Sequence, residues 1–135
     1  MTREQFIHKL LEVFNEDTGD VFSKGLRNGW LEFEDKLYRD DEITRKNIAR
    51  IIHMYLLKAC GVPDLQDISK AGGLRDLYDC RVCANHVAQI YLRGIMGAKE
   101  LSASGGFLWF DLNGEDDADA IGDYLSRAYG ITKQV

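Results

Sequence analysis

Proline is almost missing from this sequence. Pro63 is the single one, so little interrupts a long helical pattern except glycine. Cysteine is scarce too: Cys60, Cys80 and Cys83 are an odd number and too few for a disulfide scaffold. Reduced thiols are expected, as in a cytoplasm or an anaerobe. No apolar run approaches the roughly 20 residues a membrane span needs, so no membrane insertion is expected. Positive charge is not in excess. Lys and Arg number 17 against 22 Asp and Glu, a net charge of −5. No field of that sign draws in phosphates, and nucleic acid is not an expected partner. The first residues carry no basic n-region, no pure apolar h-region and no small-residue cleavage site. The expected location is the cytoplasm for a chain that starts at Met1, and the cell surface for a piece of an exported protein.

What is present is ordinary globular composition, 45% hydrophobic and 29% charged over 135 residues. That excludes a disordered chain or a collagen and suits one domain, 1–135. Helical periodicity dominates. Thr2 to Phe14 sets Phe6, Ile7, Leu10, Leu11, Val13 and Phe14 on one broad face. Thr2 and Gln5 have capping-box spacing. From about Arg45 to Cys60, residues Ile48, Ile51, Ile52, Tyr55, Leu56 and Ala59 form a stripe. Thr44 is its expected N-cap, Ile43 and Ile48 its hydrophobic staple, and Gly61 with Pro63 its stop. A third helix is expected from about Cys80 to Arg93, capped by Asp79 and ended by Gly94. A fourth is expected from about Ala118 to Tyr129, capped by Asp116 or Asp117 and stopped by Gly130. Val21 to Asn28 and Leu65 to Ala71 suit shorter helices. Phe107 to Leu112 is too short for a helix and is expected to be an extended segment filling a gap between helices. The fold class is therefore all-α.

An internal repeat runs through these elements. Thr2-Arg3 and Ile43-Thr44-Arg45 each open a helix, and Phe110 stands as far ahead of Asp117 as Leu37 does ahead of Thr44. Each copy reads as an apolar anchor, a polar turn, a cap and a helix. With Gly94-Ile95-Met96-Gly97 ending the preceding helix, Phe110 in the loop and Ile43-Thr44-Arg45 at the earlier copy, the chain resembles the S-layer homology family. Leu77-Tyr78-Asp79 stands near that family's Phe-x-Asp-Val opening, and Val82 falls where the family has tryptophan. The resemblance covers residues 37–129, with 1–36 as a partial first repeat. It implies a compact bundle of helical half-repeats that anchors proteins to secondary cell-wall polysaccharide, often pyruvylated, without catalysis, cofactor or metal. The alternative is an intracellular helical protein-interaction module of the same fold that has lost glycan binding. Asp117-Ala118, standing where the family has Thr-Arg, favours that alternative.

The residues themselves suggest where an acidic sugar would sit. A helix N-terminus offers unpaired N–H groups and partial positive charge, and an arginine beside it can grip a carboxylate with two bonds. Thr44 and Arg45 are the leading candidates, and Thr2 and Arg3 are the same case nearer the terminus. The plainer reading has Thr44 as cap only and Arg45 paired with Asp41 or Glu42. Removing Arg45 is expected to spare the fold. Trp30 and Trp109 are candidates to stack on sugar rings, or else fill the core.

Three other patterns argue against metal or catalysis. Glu115, Asp116, Asp117 and Asp119 lack the calcium-loop pattern and suit a helix start. Cys80 and His86, in Cys80-x-x-Cys83-x-x-His86, would point about 120° apart on a helix, poor geometry for one ion. His8, His53 and His86 show no spacing that reads as a catalytic set.

Overall fold

The computed structural model of the chain describes residues 1–101 and 105–134. Six α-helices follow one another, and no strand forms among the described residues. They are α1 (Arg3–Val13), α2 (Val21–Asn28), α3 (Phe33–Leu37), α4 (Arg45–Lys58), α5 (Ala84–Leu92) and α6 (Ala118–Thr132). The all-α expectation is met.

Local sequence explains most boundaries. At α1 the capping box forms: the Gln5 N–H donates to Thr2 Oγ1 at 3.1 Å, and the Thr2 N–H to Gln5 Oε1 at 2.8 Å. Gly29, at φ 82°, ends α2 in the left-handed conformation that glycine adopts without cost. At α6 it is Asp117 that caps, accepting from the Ala120 N–H at 2.8 Å. Ile43 and Ile48 flank the start of α4 and are both buried.

Four expectations need correction. Helix α5 starts at Ala84, later than expected, because 3-10 turns at Leu77–Asp79 and Arg81–Cys83 precede it, and Asp79 caps nothing. Helix α6 passes through Gly130 to Thr132. Ile131 packs partly on the core, which offsets the roughly 1 kcal/mol that a helical glycine costs. Leu65 to Ala71 forms no α-helix, only a 3-10 turn at Ser69–Gly73. The Gln89 side chain takes both backbone groups of Leu65, its N–H at 2.8 Å and its C=O at 3.1 Å. Finally, Leu37 is no buried anchor but lies exposed at the end of α3. That five-residue helix was not foreseen.

Helix α4 is the centre of the bundle. It packs most extensively on α5 and also on α6, while α1 lies against α6 and α3. Its buried face is wider than the aliphatic stripe, since Arg45, Arg50 and His53 are buried beside the isoleucines. One hydrophobic cluster runs through five of the six helices, all but the short α3, and through the loops between them. Phe110 and Leu112 are buried in it, as expected of a gap-filling segment, whereas Phe107 and Leu108 are exposed. Trp109 pairs with Lys99 in an isolated bridge, with N···O distances of 2.7 and 2.8 Å.

Candidate functional site

The internal repeat is realised as a backbone interlock. The first two N–H groups of α1, at Arg3 and Glu4, donate to the carbonyls of Asp41 and Arg39 at 2.9 and 3.0 Å. Those of α4, at Arg45 and Lys46, donate to Gly114 and Leu112, both at 2.9 Å. In both cases the acceptors precede the next helix's cap by three and five residues (Asp41 and Arg39 before Thr44, Gly114 and Leu112 before Asp117). The loop ahead of each later helix thus fills the N-terminus of the earlier one. A helix start that an external anion was expected to occupy is filled by the chain itself.

Arg45 is filled in the same way. It is 1% exposed. Its Nε donates to the Phe110 carbonyl at 2.8 Å, Nη2 to the Gly97 carbonyl at 2.6 Å, and Nη1 to the Tyr124 hydroxyl at 2.9 Å. Nη1 also pairs with the Asp116 carboxylate. The partner is therefore neither Asp41 nor Glu42. Glu42 instead holds the terminal amine of Met1 at 2.6 Å. Burial opposes the charge on Asp116, but the Tyr124 hydroxyl and the Arg45 guanidinium outweigh it and hold its carboxyl below the usual range. Thr44 does not cap by its hydroxyl, which accepts from Asn47 Nδ2 at 3.1 Å. The Arg45 guanidinium is thus taken up by partners within the fold, and the hydroxyl of the half-buried Thr44 by Asn47.

Arg3 belongs to a second buried ion cluster. Asp35 is fully buried and takes Arg3 Nη1 at 3.0 Å and Arg50 Nη1 and Nη2 at 3.0 and 2.6 Å. Its other bond comes from the Glu32 N–H at 2.8 Å, which opens α3. Above this cluster lies a cleft of about 460 Å³, lined by Arg3, Glu32, Glu34, Tyr38, Lys46, Asn47, Arg50, Cys80, Val82, Cys83 and His86. Lys46 and Asn47 reach it from the first turn of α4, and Tyr38 is about half exposed at its rim. Lys46 has no ion pair among the described residues. So the predicted helix start does face a cleft, through the two residues after Arg45.

Two features at this cleft escaped the sequence. Cys80 and Cys83 are joined in a disulfide, which corrects the expectation of reduced thiols; only Cys60 is free. The scattered histidines also meet. His53 Nδ1 lies 2.7 Å from His86 Nδ1, and His53 Nε2 lies 2.6 Å from Asp64 Oδ1. Burial, with His53 and Arg50 nearby, pushes His86 down to about 4. Asp64 is held below the usual carboxylate range: burial opposes this, and hydrogen bonds from His53 and Asn85 prevail. The buried face of α4 carries His53, but no sequence signal says that α5 presents His86 to it. Among the described residues no group of three or more His, Cys, Asp or Glu side chains is placed to hold a metal ion.

Of the two tryptophans, Trp30 lies in the core. Trp30 is 2% exposed and packs edge-on against Tyr55, with centroids 4.9 Å apart. Trp109 is half-buried, and its Nε1 is enclosed without a partner. Comparison with protein-family models, with curated proteins and with solved structures finds no match.

Proposed function

We propose that this chain is a binding module built from S-layer-homology-like half-repeats, which takes an acidic, pyruvylated cell-wall polysaccharide in the cleft beside α4. The observation that carries the reading is Lys46. Lys46 lines that cleft without an ion pair among the described residues, together with Asn47 and the half-exposed Tyr38. A cation, an amide and an aromatic face are what a carboxylate-bearing sugar needs: charge, hydroxyl recognition and a stacking surface. The loop-to-helix interlock, spaced as the sequence repeat is, supports the half-repeat architecture. A disulfide suits an oxidising, extracellular setting.

Calorimetry with purified secondary cell-wall polysaccharide tests this. Lys46→Ala should weaken binding at least about tenfold, or 1.4 kcal/mol, with an unchanged melting curve. Wild-type protein that binds no polymer would remove the glycan. A protein-interaction module is the second reading, and α3 favours it. Phe33 and Leu37 are 68% and 62% exposed one turn apart, an apolar face of the kind that marks protein contacts.

A further inference from the structure

We propose that the Cys80–Cys83 disulfide is a thiol-exchange site, at which a thiol entering the neighbouring cleft is oxidised as the pair is reduced. The site stands whether or not the cleft takes a glycan. Both cysteines line the cleft wall, and both are half-buried. Between them Arg81 is exposed and Val82 is 85% exposed, so the loop that carries the pair is open to a partner, although both cysteines also pack partly against the core.

This bond is a poor staple. It closes a loop of sequence separation 3, and a cross-link restrains the unfolded chain less the shorter its loop. The turn it spans is already closed by the Cys83 N–H donating to the Cys80 carbonyl at 3.1 Å, so reduction leaves the backbone held. The same placement suits thiolate chemistry. Cys80 precedes the 3-10 turn that leads without a break into α5, and Cys83 is the N-cap of α5 itself. Helix starts stabilise thiolates, and Lys46, without an ion pair among the described residues, adds positive charge in the same cleft.

The exchange balances as follows. A substrate thiol, deprotonated to solvent, attacks Cys80 Sγ. The S–S bond breaks, Cys83 leaves as a thiolate, and a mixed disulfide joins Cys80 to the substrate. A second substrate thiolate attacks the substrate's sulfur in that mixed disulfide, and Cys80 leaves as a thiolate. The substrate departs as its own disulfide, both protein thiolates take up protons, and two electrons have passed to the pair.

The test uses the full chain and two thiols, glutathione and a short cysteine-containing peptide, with alkylation and mass measurement of each cysteine. In the wild type the pair should become reduced in native buffer while circular dichroism and the melting curve persist. In Cys83→Ser, oxidised glutathione should form a mixed disulfide at Cys80 at least tenfold faster than at Cys60, the internal control. The faster of the two thiols shows whether a small molecule or a protein cysteine is preferred. A pair that is reduced only after denaturant unfolds the chain would overturn the proposal, and so would a Cys80 no faster than Cys60.

Discussion

His86 shows how one side chain sets the acid limit of this fold. It is held at about 4 in the folded protein, by burial first and by the charges of His53 and Arg50 second, against about 6.5 in an unfolded chain. Between these values the unfolded state binds the extra proton. Stability is therefore complete above about pH 6.5 and falls as the pH drops toward 4. The full shift is worth about 3 kcal/mol as an upper bound, reduced by solvent at the ring's exposed edge. Asp64 acts in the same direction at lower pH, since its depressed value makes the folded state lose stability once the carboxylate is protonated. Melting temperature should fall steeply across that window in the wild type and less steeply in His86→Gln. Equal slopes in the two proteins would contradict the assignment.

At the scale of elements, the segment from Phe110 to Leu112 depends on one carboxylate. Asp76, 4% exposed, accepts the N–H groups of Phe110 and Asp111, both at 2.8 Å, and of Leu112 at 3.2 Å. Asp76→Ala strands these donors, two of them on buried residues, and should cost at least about 2 kcal/mol. Asp76→Asn should cost less, because its amide oxygen still accepts. Amide hydrogen exchange at Phe110 and Leu112 is the measurement, and protection unchanged from wild type would refute the role. The sequence singled out Asp79 as a helix cap and gave Asp76 no role, because Leu77-Tyr78-Asp79 and Leu74-Arg75-Asp76 carry the same apolar-x-Asp pattern and burial distinguishes them. Stripes made α1, α2, α4 and α6 legible, helped by the caps Thr2 and Asp117 and the stop at Gly29, since those signals are local. The five-residue α3, the late start of α5 and the meeting of His53 with His86 depend on tertiary partners, which periodicity does not encode. For the candidate site, the sequence pointed to the start of α4, which faces a cleft through Lys46 and Asn47, while Arg45 turns inward to Asp116, a partner that only the tertiary fold supplies.

On the scale of the whole molecule, Arg45 joins the two halves of the chain, with 71 residues separating it from Asp116. The expectation that the fold tolerates its loss does not survive this geometry. Arg45→Met leaves the Phe110 and Gly97 carbonyls without this donor and takes from Asp116 one of three partners, the Tyr124 hydroxyl and Lys99 remaining, and should lower unfolding free energy by at least about 2 kcal/mol. Urea unfolding checks it: the midpoint should fall sharply, and the double variant Arg45→Met, Asp116→Leu should recover part of the loss. A midpoint within experimental scatter of wild type would mean the network contributes nothing net.

The loop-to-helix interlock also imposes an order on biosynthesis. The first turn of α4 is completed by Gly114 and Leu112, and its arginine by Asp116. At roughly 5–20 residues per second, a ribosome needs about 4–14 s to travel from Arg45 to Asp116. For that interval the nascent chain displays an unfinished helix with an unpaired guanidinium where its centre will be. The start of α4 therefore reaches its native form only once the segment through Asp116 has been made.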